Sequence, residues 1–216
     1  MSIDFFIALW ESTLSRKNKV ESRPLRMKRI SSGEIILIRH APVSWAGVLC
    51  GRTDLDARID HAATDALRDD LGPAGHVVSS PARRCRQTAE ALFGSHEQDV
   101  RLWEQDFGAH DGLPFGELPD IGILSGDDLA DYAAPGGESF SDLCVRTSPA
   151  FSQYGQMAYD NGPVVLVVHA GVIRAAIAMV THHVPSGLAF EVGNLSVTRL
   201  RCGPEGPVSV IEVNRT

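Results

Sequence analysis

The chain reads as an α/β protein of three layers, with helices on both faces of a mainly parallel sheet that has an antiparallel edge. Three observations predict this. The continuous apolar runs Ile35-Ile-Leu-Ile38 and Val164-Val-Leu-Val-Val168 suit strands buried on both faces. Segments of helical periodicity alternate with strand candidates, as parallel crossovers require. Three β-rich pieces, 188–192, 196–202 and 208–213, then follow one another without helices, which favours antiparallel pairing at one edge.

Taken in order, the first strand covers 34–40 and stops at Arg39-His40-Ala41, because Pro42 cannot donate to a ladder. Residues 41–58 are rich in turn formers. A weak helix over 60–71 is closed by Gly72-Pro73. A short strand over 76–79 leads to Ser80-Pro81, an N-cap followed by Pro at the first helical position. The helix that follows runs to Phe93. Its core face carries Ala82, Cys85, Ala89, Leu92 and Phe93, leaving the arginines off it. Val100-Arg-Leu-Trp103 is a further strand candidate. Residues 109–136 are dominated by Gly, Pro and Asp, with one helical turn around 127–132. A long amphipathic helix covers 138–159 with a bend expected at Pro149, and strand 164–168 precedes a helix over 172–180.

Composition narrows the function. The chain has 216 residues, 44% hydrophobic and 22% charged, enough for one substantial core. A net charge of −7 argues against nucleic acid or an anionic membrane as the main partner. A small anionic ligand stays open, since local arginines outweigh a global acidic excess. Cys50, Cys85, Cys144 and Cys202 show no CxxC spacing, which reads as reduced thiols of a cytoplasmic protein. No apolar run approaches the roughly 20 residues of a membrane span. Residues 1–32 read as an extension outside the fold, with 33–216 as the domain and Met27 as an alternative start. The apolar patch at 5–10 follows Asp4 and precedes the basic stretch, the reverse of a secretory signal.

Two buried strands each deliver a histidine at their carboxyl ends, His40 beside Arg39 and His169 before Ala170-Gly171. In open α/β sheets that is where ligands bind, so the pair points to one site built from both. Arg52 in the loop after His40 and Arg174 one turn into the following helix are substrate-binding candidates; a solvated role explains either nearly as well. Arg83 and Arg84 both lie off the core face. Arg83 neighbours Gln87, Glu90 and Arg86, a solvated face, whereas Arg84 adjoins the small Thr88 and Ala91.

Leu37-Ile-Arg-His-Ala41, Ser79-Ser-Pro-Ala-Arg-Arg-Cys-Arg-Gln-Thr-Ala89, Leu102-Trp-Glu-Gln-Asp-Phe-Gly108, Pro135-Gly-Gly-Glu-Ser139 and Val167-Val-His-Ala-Gly171 occur in the order found in the histidine phosphatase superfamily. The chain resembles that superfamily, which includes phosphoglycerate mutases and small phosphomonoesterases, over about residues 33–202. The resemblance implies a phosphoglycerate mutase-like fold and a phosphohistidine intermediate on His40. It also implies Arg39 and Arg84 as phosphate-binding forks, His169 as a donor to a phosphate oxygen, and Glu104 as the acid for the leaving alkoxide. The family's Ser-Ser-Pro-x-x-Arg motif lands on Arg84. No metal and no cofactor are implied, and the partner is a small phosphorylated substrate.

Departures from the pattern bear on the sub-assignment. Ala41 replaces the signature glycine, Trp45 is followed by Ala46 rather than Asn, and Glu104 to Gly136 spans only 32 positions. The Arg-His-x-Pro-Val…Gly-x-x-Cys-Gly-Arg-Thr-Asp loop resembles α-ribazole phosphatases, making α-ribazole 5′-phosphate the leading substrate expectation. Mutase-type phosphoryl transfer and a non-catalytic phosphoryl-binding module are the alternatives. A zinc hydrolase would set a cation beside Arg39 and Arg84, and HExxH and Gly-x-Ser-x-Gly are absent.

Overall fold

The computed structural model describes residues 33–72 and 74–216. The N-terminal extension expected over 1–32, and Met27 within it, lie outside the described residues. The strands are β1 (Glu34–Arg39), β2 (His76–Ser79), β3 (Glu97–Gln98), β4 (Val164–Val168), β5 (Val197–Gly203) and β6 (Gly206–Arg215). The helices are α1 (His61–Leu71), α2 (Arg83–Phe93), α3 (Gly126–Asp131), α4 (Phe140–Asn161), α5 (Ala170–Thr181) and α6 (Val184–Leu188). One sheet runs β3-β2-β4-β1-β5-β6. Its first four strands are parallel, and β5 and β6 add the antiparallel edge.

Alternation along the central strands builds two apolar layers. Ile35 and Leu37 of β1 and Val164, Leu166 and Val168 of β4 pack with Leu143, Phe151, Ile173 and Ile177 of α4 and α5. Ile38, Val165 and Val167 face the other way, onto Ala82, Cys85, Ala89 and Leu92, with Leu67 and Leu71 of α1 beside them. This is the expected three-layer α/β fold.

Three local expectations change. The helix after β2 starts at Arg83 with Ala82 in the cap position, and the Ser80 hydroxyl accepts from the Ala82 amide just before it at 3.3 Å. Val100–Leu102 is a 3-10 turn rather than a strand: the Asp99 carboxylate accepts from the Arg101 amide and caps it. Residues 188–192 form no strand: α6, with Pro185 in its first turn, ends at Leu188, and the chain then runs irregularly into β5. Pro149 falls within α4 without ending it, and a capping box between Ser139 and Asp142 sets that helix's start.

Register fixes the site. Arg39 pairs with Val168, and Ser79 with Val167, so β1, β2 and β4 end together. Their next residues, His40, Ser80 and His169, therefore emerge side by side, with His40 N donating to Val168 O at 2.9 Å and Ser80 N to Val167 O at 3.0 Å.

Candidate active site

His40 is buried, and its Nδ1 lies 2.7 Å from the Ala41 carbonyl. Only a protonated Nδ1 can make that bond, so Nε2 keeps a free lone pair. Burial and the nearby charge of Arg84 push the His40 pKa down to about 3, which leaves the imidazole neutral in ordinary buffers. Asn194 Nδ2 donates to the His40 carbonyl at 2.8 Å, and the Ala41 amide donates to Thr88 Oγ1 at 2.9 Å. Backbone on both sides of the ring is thereby fixed. Leu195, held at φ 57°, turns the chain so that Asn194 reaches β1.

His169 caps α5 and is fully buried, its ring centroid 5.3 Å from that of His40. Ser80 Oγ sits 2.8 Å from its Nε2, and the Cys85 thiol lies alongside. Burial and the charge of Arg84 hold the His169 pKa well below the usual imidazole range. Its place at the start of a twelve-residue helix also favours an anion nearby.

The two forks are built differently. Arg84 is off the apolar core, as expected, yet only 1% exposed. It donates to the carbonyls of Thr53 (3.0 Å), Gly51 (2.8 Å) and, more weakly, Cys50 (3.4 Å). Arg39 donates through Nη1 to the Val192 carbonyl. The Nε atoms of both arginines are buried with no protein partner. Buried N–H groups of this kind are costly unless something accepts from them, and an oxyanion would.

Glu104 follows the 3-10 turn and is buried. Its two oxygens accept from Gln105 N (3.0 Å) and Gly171 N (3.1 Å). Desolvation raises its pKa against the opposing pull of those amides and of the two arginines. A Cβ on Gly171 would stand 2.3 Å from Glu104 Oε1, so only glycine there admits the carboxyl group. The chain around Glu104 is held by Arg146, which donates to the carbonyls of Arg101, Trp103 and Glu104 and pairs with Glu138. Glu138 in turn accepts from the Asp106 amide.

His40, Arg39 and Glu104 line a cavity of about 580 Å³; His169 and Arg84, both buried, are not among its lining residues. Arg174 lines it and donates to the Phe190 carbonyl. Arg52 does not line it. The Arg52 guanidinium pairs instead with Asp106 at 3.7 Å and lies over the Trp103 ring. Arg58 lines the cavity instead. Arg58, Asn194 and Arg146 carry no sequence signal of a site role, since only folding brings them near it; Ser80, next after β2, reads from sequence as a helix cap alone. Among the described residues, no group of three or more His, Cys, Asp or Glu is arranged to hold a metal ion, and no helix is long and apolar enough to cross a membrane.

Two histidines at parallel strand ends thus lie beside a buried carboxyl group and two arginines, Arg39 at a strand end and Arg84 on α2. The chain belongs to the histidine phosphatase superfamily, branch 1, whose family model matches residues 35–215. It is 28% identical over 158 residues to mouse 6-phosphofructo-2-kinase/fructose-2,6-bisphosphatase 1, covering 69% of this chain and 33% of that protein. The chain thus spans about a third of the length of that relative. It is 28% identical over 184 residues to a metal-independent phosphoserine phosphatase of Arabidopsis thaliana, covering 78% of this chain and 76% of the relative. Among solved structures, a mycobacterial glucosyl-3-phosphoglycerate phosphatase complexed with VO3 superposes with a TM-score of 0.75 at 25% identity, covering 86% of this chain and all of the other.

Proposed function

We propose that the chain is a metal-independent phosphomonoesterase of small phosphorylated metabolites, acting through phosphoHis40. The observation that carries this reading is the His40 ring itself. It is neutral, its Nδ1–H is tied to the Ala41 carbonyl, and its free Nε2 sits in a cavity with a buried carboxyl group of raised pKa. Nε2 attacks phosphorus while Arg39, Arg84 and His169 hold the equatorial oxygens. As the P–O bond to the alcohol breaks, protonated Glu104 gives its proton to the leaving alkoxide. Glu104 then takes a proton from water, whose oxygen displaces Nε2 and releases orthophosphate. The raised Glu104 pKa suits the acid role, and its two amide bonds suit the carboxylate left after transfer.

The substrate reading rests on less. The loop from Gly47 to Asp54 supports α-ribazole 5′-phosphate, with sugar and nucleoside monophosphates beside it. The substrates in the relatives' names add phosphoserine and glucosyl-3-phosphoglycerate, whose carboxylates would suit Arg58 and Arg174.

The test is a screen of phosphorylated metabolites in EDTA with acid-quench trapping of the phosphoenzyme. Turnover and an acid-labile, base-stable phosphoprotein are expected. His40→Ala should abolish both, and Glu104→Gln should slow poor leaving groups by about 10²–10⁴-fold, far more than a nitrophenyl ester. Loss of turnover on chelation would overturn the metal-independent reading. Interconversion of 2- and 3-phosphoglycerate far above their hydrolysis would favour a mutase, and phosphate binding without any turnover a non-catalytic module.

A further inference from the structure

A second cavity, of about 260 Å³, adjoins the catalytic one and shares Leu49, Gln105, Phe107, Phe140 and Leu188 with it. The rest of its wall comes largely from the segment leading into and through α3, including Leu118, Ile121, Leu129 and Tyr132. No Lys or Arg lines it, and its one carboxylate, Glu138, is already paired with Arg146. The cations Arg39, Arg58 and Arg174 all lie in the catalytic cavity. The His110 ring stacks on Tyr132 with centroids 6.4 Å apart, which adds a flat face to the annexe. Phe115, Ile121, Ile123 and Leu129 are exposed on the same stretch of chain, unusual for a segment otherwise rich in Gly, Pro and Asp.

We infer that this annexe is the subsite for the leaving alcohol, and that the alcohol carries an uncharged, apolar planar ring system. The inference rests on the phosphomonoesterase reading and deepens it. A bound phosphate at His40 places the ester oxygen near Glu104, and Gln105 and Phe107, two of the shared wall residues, lie one and three positions after Glu104 in the chain. The group attached to that oxygen therefore leads toward the annexe. Its walls are mainly aromatic and aliphatic and carry no Lys or Arg, so a carboxylate or second phosphate meets no guanidinium or ammonium partner there. A dry cavity of roughly 150 Å³ holds benzene, so 260 Å³ admits a ring larger than one phenyl group.

Binding of non-hydrolysable phosphonates by calorimetry tests this without needing turnover. Methylphosphonate, carboxymethylphosphonate and a naphthylmethyl phosphonate are compared on the full chain. The naphthyl compound should bind about 10- to 100-fold more tightly than methylphosphonate, from burial of one aromatic group. In Leu129→Asp, and independently in Ile121→Asp, the naphthyl-to-methyl affinity ratio should collapse toward one. Both side chains are partly exposed, and a thermal melt of each variant checks that it folds. Equal affinity for all three phosphonates, or an unchanged ratio in both folded variants, overturns the inference even if esters are hydrolysed. A naphthyl preference that the variants abolish, with no ester hydrolysed, keeps the annexe and overturns the phosphatase reading instead.

Discussion

A neutral imidazole beside two guanidinium groups is expensive to protonate, and His40 and His169 share that situation. Both have folded-state pKa values below those of the unfolded chain, so below about pH 6.5 the unfolded chain takes up protons that the native protein refuses. Stability from these groups is therefore fully present above pH 6.5 and is lost as pH falls toward the His40 value of about 3. Each imidazole held neutral contributes a slope of up to about 1.4 kcal/mol per pH unit. Urea melts between pH 7 and 5, above the range where ordinary carboxylates dominate, should show this slope, and His40→Gln should remove about half of it. A flat profile in the parent protein would mean that both imidazoles protonate freely in the fold. Orthophosphate should flatten the slope as well, because a dianion between the forks offsets their charge and makes imidazolium tolerable.

At the scale of elements, the site depends on how closely strand ends and helix starts approach. Gly171 lies in the first turn of α5, where alanine would ordinarily favour the helix. Here the added Cβ would meet Glu104 Oε1 at 2.3 Å and Leu143 Cδ2 at 3.1 Å. Gly171→Ala should therefore leave α5 formed but expel the carboxyl group, lowering kcat about 10²-fold for alkyl phosphates and much less for nitrophenyl phosphate. Equal losses on both substrates would show that the substitution disturbs phosphate binding rather than the acid. The same scale explains what the sequence reveals. Strands β1 and β4 are legible because burial on both faces demands unbroken apolar runs, and their terminal histidines follow at once. The turn at Val100–Leu102 is not legible: its residues suit a strand, and only the Asp99 cap, itself held by Arg101 and Tyr154, decides otherwise. Ser80 reads as a helix cap by local chemistry; its hydroxyl does accept from the Ala82 amide, and also meets His169, 89 positions away, which local pattern cannot show. The stretch 188–192 has strand-like composition, but Arg39 and Arg174 take the carbonyls of Val192 and Phe190 that a ladder would need. At 188–192 tertiary competition for hydrogen bonds overrides the local pattern.

Across the whole molecule, the phosphate pocket depends on segments that meet only when the chain closes. Asp111 lies in the irregular stretch after Glu104, and its carboxylate accepts from three consecutive amides, those of Gly51, Arg52 and Thr53. Carbonyls in that same loop, from Cys50, Gly51 and Thr53, receive the Arg84 guanidinium from α2. If Arg84 binds phosphate as proposed, Asp111 acts on it through another group: it holds the loop, and the loop holds the Arg84 guanidinium. Arg84 cannot swing to a compensating position, because it is buried and three carbonyls hold its terminal nitrogens. Asp111→Ala should leave three amides in need of water and let the carbonyl cradle relax. Inhibition by orthophosphate should then weaken by roughly 10-fold or more, as when a charge-assisted hydrogen bond is lost. The readout that separates positioning from simple destabilisation is temperature. If Asp111 only stabilised the fold, well-folded Asp111→Ala protein far below its melting point would bind phosphate as the parent does. If it aims Arg84, the weakening persists at every temperature where the protein is native, and Asp111→Asn, which keeps one carbonyl acceptor for the loop amides, recovers part of it. Unchanged inhibition in both variants would place the control of Arg84 within α2 and the loop alone.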